Sequence, residues 1–460
     1  MGRRNRRDFL KASTLAGGGI LVAETGFWPG SSSAAQTAQP KRPGPNDRLN
    51  IAIIGAGGQG GGNLGNVART ENIVALCDVD VNRCWGALQA RPNIPFYLDF
   101  RAMLDRQRNI DAVVVSTSDH QHAVASAAAI KLGKHVYCEK PLTHDVWEAR
   151  QLKELATKHR VKTQMGNQGT SNNNLRTAVE IVRSGAIGPV REVHVWTNRP
   201  IWPQNIARRP AREDVRGGLH WDLWLGTAPN RPYNRAYCPF AWRGWWDFGT
   251  GAIGDMACHT MNLAFMALNL GVSGHAAACT SIVADVAQAV NNETAPEGCT
   301  VTYEFPERPN LPPGEGRLPA CRLLWYERRR PGMALFQGQQ PSESGCLIVG
   351  AKGTLYSPSD YSGEYRLLPV ENFRDYRPPA PTLPRVEGQN HHANWIRACK
   401  GGPDAVSNFD YAGPLTEMAL LGNVAIRAGQ RVTWNAAELR ATPDVAQRFI
   451  RREYRKGWTL

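Results

Sequence analysis

The amino-acid sequence predicts an α/β chain in two parts: a parallel sheet covered on both faces, then a mainly antiparallel sheet covered on one. Three observations carry this. Continuous apolar, β-branched runs alternate with helical stretches up to about residue 168, the texture of strands buried on both faces. A glycine-rich turn closes the first of those runs. Beyond residue 168 the runs alternate apolar and polar residues, as half-exposed strands do. At 460 residues and 42% apolar composition, the chain can bury two sizeable cores and falls outside the disordered class.

The first residues differ from the rest. Arg6-Arg7-Asp8-Phe9-Leu10-Lys11 precedes a weakly apolar stretch (Ala12–Ala23) and the small residues Ser31–Ala35. This reads as a twin-arginine export signal with a cleavage region. The expected divisions are a signal peptide over 1–38, a linker over 39–47, a first domain over 48–168 and a second over 169–460. The expected location is periplasmic, or otherwise exported by that route. The route carries folded proteins, so a cofactor would travel inside. The apolar stretch is too short to remain as a membrane span, and no later segment reaches about 18 apolar residues. No stable membrane insertion is expected.

Leu49–Ile54 reads as the first strand, followed by a small-residue helix to about Ala68. Ile73–Asp78, Ile110–Val115 and His135–Cys138 are later strands of the same kind. Arg191–Trp196, Cys299–Phe305 and Cys321–Glu327 alternate. Residues 306–320 hold five prolines and read as an irregular loop. His391–Cys399 and Pro414–Arg427 have helical periodicity.

The formal charge is +14. The first 38 residues carry five Arg/Lys against two Asp/Glu, so about +11 stays with the remainder. The charge is spread out, with Arg328-Arg329-Arg330 its longest internal run, and no nucleic-acid motif accompanies it. It reads as a solvated face, without a nucleic-acid partner. Ten cysteines contain no C-x-x-C pair. Structural zinc is therefore not expected, and the thiols should be buried.

Gly55-Ala56-Gly57-Gly58-Gln59-Gly60 follows a strand and opens a helix. In that context G-x-G-x-x-G reads as a dinucleotide-binding turn; the alternative is a glycine-rich structural turn with no nucleotide. Gly55 permits the tight turn, Gly57 lets the backbone approach a pyrophosphate, and Gly60 permits close helix packing. Asp78 ends the second strand, 23 residues after Gly55. A carboxylate there accepts from the ribose hydroxyls and repels a 2′-phosphate, favouring NAD over NADP. Lys140, between Glu139 and Pro141, lies just outside the carboxyl end of a parallel strand, where ligands bind. It can polarise a substrate oxygen; the alternative is an ordinary loop lysine. Asp255 and His259 are spaced i, i+4, on one face of a helix. The imidazole can act as general base and the carboxylate can orient it or a hydroxyl. The alternatives are a surface ion pair and a metal half-site. No third ligand is apparent, so no metal is expected.

These residues make the chain resemble the glucose–fructose oxidoreductase, inositol dehydrogenase and rhizopine-catabolism (Gfo/Idh/MocA) family. The resemblance covers about residues 48–435. It rests on the glycine turn, Ser116-Thr117-Ser118-Asp119-His120-Gln121-His122, Glu139-Lys140-Pro141, and Gly254-Asp255 with His259. It implies that Lys140, Asp255 and His259 are catalytic. It places Thr117, His120 and His122 beside the nicotinamide, with Gly58, Gln59, Glu139 and Lys140 also at the cofactor. It implies a cis peptide bond before Pro141 and an open sheet in the second domain that serves a homo-oligomer, a dimer or tetramer. Sugars, cyclitols and related polyols are the implied substrates. One branch of the family cleaves glycosidic bonds by transient oxidation with tightly held NAD.

Seven of the fourteen tryptophans fall between residues 196 and 246. Aromatic faces stack on sugar rings, although most such residues simply pack. Trp202 and Trp245, with Arg243 and Gln168, are the residues expected to meet substrate. The sequence thus predicts an exported NAD-dependent oxidoreductase that moves hydride between a sugar or polyol hydroxyl and retained NAD. The competing readings are a redox glycoside hydrolase and a non-catalytic sugar- or nucleotide-binding protein.

Overall fold

A computed structural model describes residues 47–272, 276–310 and 316–460. The twin-arginine segment and nearly all of the linker lie outside the described residues.

Six short strands, β1 (Asn50–Ile54), β2 (Asn72–Cys77), β3 (Phe96–Tyr97), β4 (Ala112–Val115), β5 (His135–Cys138) and β6 (Thr163–Met165), form the first sheet. Their order is β3-β2-β1-β4-β5-β6 and every pairing is parallel. The chain order reverses between β1 and β4. Ligands bind in the crevice at such a switch point, and Gly55 and Ser116 stand on its two sides. The apolar runs supply strands buried on both faces: all four residues of β4 and four of five in β1 are buried. Helices cap themselves with the expected residues. Asp145 accepts from the Glu148 amide, and Glu148 accepts from the Asp145 amide, at the start of helix Val146–His159.

The second sheet uses β7 (Val190–Thr197), β10 (Ser281–Val286), β11 (Cys299–Phe305), β14 (Cys321–Glu327), β15 (Gly345–Gly350), β16 (Thr354–Ser357), β17 (Arg366–Leu368), β18 (Val432–Asn435) and β19 (Arg440–Thr442). The order is β17-β16-β15-β7-β14-β11-β10-β18-β19, antiparallel at every pairing but β7–β14. Two small ribbons complete the strands: β8 (Gly271–Val272) with β9 (Ala276–Ala277), and β12 (Arg308–Pro309) with β13 (Arg317–Leu318). The second ribbon corrects the reading of 306–320 as wholly irregular. Its proline Pro309 stands in an isolated two-stranded ribbon, where few amide donors are required.

Helices Gly251–Thr260 and Phe409–Ala428 lie over this sheet. A Cβ at Gly422 would sit 2.3 Å from Tyr303 Oη, so glycine sets the close approach of the long helix to β11. That helix starts five residues before the expected Pro414. Asn408 caps it, accepting from the Asp410 and Tyr411 amides, and Pro414, the sixth helical residue, has no amide to donate to the carbonyl four residues back. The later chain also returns to the first sheet. Trp395, Ile396, Ala398 and Cys399 of helix His391–Cys399 share one apolar cluster with Leu49, Ile51 and Ile53. All ten cysteines are free and buried. No helix of the described residues is long and apolar enough to cross a membrane.

Candidate active site

A cavity of about 440 Å³ runs along the switch point, from Asp78 and the glycine turn to Lys140, Asp255 and His259. The turn is shaped by what a side chain would hit. A Cβ on Gly55 (φ +81°) would lie 2.6 Å from Ser116 O, and one on Gly60 only 1.6 Å from Gly55 O. Gly58 also has positive φ (+56°). The Gly57 amide donates to Asp78 Oδ2 and the Asp80 amide to Oδ1, both at 2.9 Å. This fixes the carboxylate against the turn. Burial outweighs those donors and raises Asp78 to about 6. A turn that leaves no room for Cβ, with a fixed carboxylate beside it, fits a dinucleotide. Arg83, which sequence reasoning missed, lines the same end of the cavity. It is five residues past Asp78 on helix Val81–Ala90, and a Cβ on Gly57 would meet its Cβ at 2.8 Å.

The middle of the cavity is walled by Ser116, Thr117, Ser118, Asp119, Gln121 and His122, where β4 gives way to helix Asp119–Lys131. His122 directs Nδ1 at Pro141 O (2.7 Å) and Nε2 at Thr117 O (3.1 Å). Two carbonyl acceptors ask for two N–H donors. Burial opposes that charge, but Cys138, Asp119 and the Pro141 carbonyl outweigh it and hold the imidazole at about 10. His122 therefore ties the Lys140–Pro141 turn, whose peptide bond is cis, to the end of β4.

His120 is a correction. It does not line the cavity. Its ring is fully buried between Trp224 and Phe248, with its nitrogens on their backbone carbonyls at 3.0 and 3.1 Å. Burial, then Arg452, lowers it to about 3. On the helix carrying both, residue 122 faces the crevice and residue 120 the aromatic cluster.

At the inner end Lys140 Nζ donates to Asp255 Oδ1 at 2.7 Å and to its main-chain carbonyl at 2.8 Å. Arg243 Nε approaches the same Oδ1 at 3.3 Å. Burial disfavours both members of the Lys140–Asp255 pair, yet their attraction wins: Lys140 is raised and Asp255 lowered. Asp255 and His259 share the inner face of helix Gly251–Thr260, as their spacing predicts. The carboxylate, however, orients Lys140. His259 Nδ1 has no hydrogen-bond partner among the described residues. Burial, then the Lys140 charge, lowers His259 to about 3. The ring of Tyr361 meets it edge-on, with centroids 4.6 Å apart. Tyr361 lines the cavity and is a second residue the sequence did not reveal. Glu139 accepts from Asn63 Nδ2 (2.9 Å), Gln59 Nε2 (3.3 Å) and Gln168 Nε2 (3.4 Å), which draws Gln59 and Gln168 to the cavity wall.

Trp202 and Trp245 are further corrections. Neither lines the cavity. Trp245 is buried in an aromatic cluster with Tyr237 and Phe248, its Nε1 donating to Ala236 O. Trp202 donates to Gln204 Oε1 at 2.8 Å. The cavity is lined instead by Trp224, Trp242 and Phe240, with the Arg243 guanidinium 4.4 Å from the Trp242 ring centroid and 4.8 Å from that of Phe240.

A two-domain α/β fold with a dinucleotide turn defines a class, and sequence comparison gives the family. The GFO_IDH_MocA oxidoreductase model for the NAD-binding Rossmann fold matches residues 49–167. The model for the family's C-terminal alpha/beta domain matches residues 177–287. The chain belongs to the Gfo/Idh/MocA oxidoreductase family, and its first domain is an NAD-binding one. It is 32% identical over 203 residues to a glycosyl hydrolase family 109 protein of Solibacter usitatus, spanning 41% of this chain and 44% of that protein. It is 27% identical over 151 residues to the inositol 2-dehydrogenase of Salmonella typhimurium, spanning 32% and 45%. The chain thus matches under half the length of these relatives. Among solved structures, the WlbA dehydrogenase from Bordetella pertussis, in complex with NADH and UDP-GlcNAcA, superposes with a TM-score of 0.57 at 16% identity, covering 85% of this chain and 99% of that one. The aldose-aldose oxidoreductase from Caulobacter crescentus, complexed with glycerol, gives 0.54 at 17%, covering 84% and 100%. At these identities the likeness is one of fold.

Proposed function

We propose that this protein is an exported, NAD-dependent oxidoreductase acting on a CH–OH group of a carbohydrate or polyol. One observation carries the reading: the Lys140–Asp255 pair and His259, whose Nδ1 has no hydrogen-bond partner among the described residues, occupy one end of the cavity whose other end is the dinucleotide turn. NAD, when bound, supplies the acceptor for the two electrons that leave with the substrate hydrogen. Lys140, held protonated by Asp255, donates to the substrate oxygen and stabilises negative charge on it. His259, neutral above about pH 3, accepts the hydroxyl proton. Arg243 and Gln168 hold other hydroxyls, and Trp242 and Phe240 offer apolar faces to the ring. Residues 48–168 then bind cofactor and 169–460 substrate, with the nine-stranded sheet as the surface of a homo-oligomer.

Export by residues 1–38 accounts for a retained cofactor: a protein folded before export carries NAD along. Replacing Arg6-Arg7 by two lysines should leave the protein in the cytoplasm; unchanged export would refute the signal. The activity is tested by mass spectrometry of the purified protein for NAD, followed by a sugar and polyol screen for cofactor reduction. An enzyme that binds NAD and reduces it with no carbohydrate or polyol contradicts the reading. A second reading, redox glycoside hydrolysis with the same first step, is favoured by the family 109 relative. Release of a glycosidic leaving group without net cofactor reduction identifies it.

A further inference from the structure

A cleft of about 640 Å³ opens between helix Asn173–Arg183, helix Asn262–Ala267 and the segment 383–414. It shares no lining residue with the cofactor cavity. Four arginines line it: Arg176, Arg183, Arg385 and Arg397. Arg385 is satisfied, since its Nη2 lies 2.6 Å from Glu180 Oε2. Glu180 in turn accepts from the Thr382 and Leu383 amides. Asp404 is paired with Lys162 at 2.6 Å.

Arg176 and Arg183 are different. They are 4% and 9% exposed. Each makes one side-chain hydrogen bond, Arg176 Nη2 to Thr170 O (3.0 Å) and Arg183 Nη2 to Met266 O (2.6 Å). The Nε of each has no acceptor, and neither has an ion-pair partner among the described residues. A guanidinium has five donors, and a buried charge without a counter-ion is costly. Burial lowers the pKa of both arginines and outweighs the attraction of Glu180, which is paired with Arg385. A second copy of this chain could offer a carboxylate, but a concave cleft of this volume has the size of a small-molecule pocket. Guanidinium forks match carboxylate and phosphate oxygens. The two arginines stand seven residues apart on one helix, roughly 10 Å along its axis, so the ligand should carry more than one anionic group.

We propose that this cleft binds a small polyanion bearing carboxylate or phosphate groups, with Arg176 and Arg183 as its principal contacts. The proposal is independent of the reaction at the cofactor cavity. The test is thermal unfolding of the NAD-saturated protein, which keeps anions out of the cofactor site, against citrate and pyrophosphate at constant ionic strength. A saturable rise in Tm with either is expected, and the more effective one identifies carboxylate or phosphate as the ligand chemistry. Arg183→Met and Arg176→Met should each weaken that response at least tenfold in ligand concentration. Without ligand both variants should be as stable as the wild type or more so, because an uncompensated buried cation is gone. No saturable response in the wild type overturns the proposal. So does a variant that lowers Tm without ligand and keeps the full anion response, which makes the guanidinium a structural donor. A variant that dissociates an oligomer in sedimentation, with no anion response in the wild type, makes the cleft an interface between copies and also overturns it.

Discussion

Lys140→Met removes the cation that faces Asp255 at 2.7 Å. The carboxylate stays buried, at 9% exposure, with Arg243 Nε at 3.3 Å as its remaining cationic neighbour. Breaking a buried pair costs about 3–5 kcal/mol, and Arg243 places the expected loss near the lower end, about 3 kcal/mol at pH 7. The sign with pH follows from Asp255. Its pKa is lowered in the folded protein, burial opposing and Lys140 prevailing. Its stabilisation is therefore present above the ordinary carboxylate range and lost as pH falls through the folded pKa. In the variant the carboxyl is raised and takes a proton instead. The difference between wild type and variant in urea unfolding should be full at pH 7 and shrink toward pH 3.5. A companion Lys140→Met/Asp255→Asn variant should recover much of the loss. Turnover of the single variant should fall about 10²–10⁴-fold, with NAD still bound. A Lys140→Met protein as stable as wild type at pH 7, or destabilised equally at both pH values, would refute the pairing argument.

Gly60→Ala should weaken NAD binding by roughly 10–100-fold in calorimetry, since a Cβ 1.6 Å from Gly55 O forces the helix off the turn, at a strain of about 1–3 kcal/mol; unchanged affinity would show that the turn does not hold the cofactor. Asp78→Ala should lower affinity for NAD and relax rejection of NADP; tighter wild-type binding of NADP than of NAD contradicts the role given to this carboxylate. The pH profile of kcat/KM should show no acid limb near 6.5 from His259, which is lowered to about 3 by burial and Lys140. His259→Ala should lower turnover by about 10²-fold or more while leaving that profile's shape to other groups; a limb near 6.5 that vanishes in His259→Ala would refute the lowering of the imidazole by burial and Lys140.

The parts of the site tied to strand ends were legible in the sequence. β5 spans His135–Cys138 as read, so Glu139 and Lys140 had to emerge at the crevice. The i, i+4 spacing of Asp255 and His259 fixed their common face without saying that the carboxylate would grip Lys140. Arg83 and Tyr361 carry no local signal. The first reaches the turn because helix Val81–Ala90 packs beside it, the second because a loop after β16 meets helix Gly251–Thr260. His120 and His122 read alike and both rings end on two carbonyls; only tertiary packing separates them, setting the first between Trp224 and Phe248 with Arg452 near and the second at the cavity with Asp119 near. The tryptophans failed for a related reason. Composition shows that residues 196–246 are aromatic, but the choice between lining and packing belongs to the fold. The long helix begins five residues before the periodic stretch from Pro414, and the Asn408 cap, six residues ahead of that proline, was the stronger signal.

The central claim is that a retained NAD and the Lys140–Asp255–His259 end of one cavity oxidise a carbohydrate or polyol CH–OH group. The most direct measurement dialyses the purified protein extensively, quantifies bound NAD, and then follows product formation from the screened substrates without added cofactor. The account predicts NAD near one per chain and product formed by wild type but not by Lys140→Met, with the bound NADH reoxidised by reduction of a second carbonyl substrate or of the oxidised intermediate itself. A protein that emerges empty and turns over many times only on free NAD would contradict it.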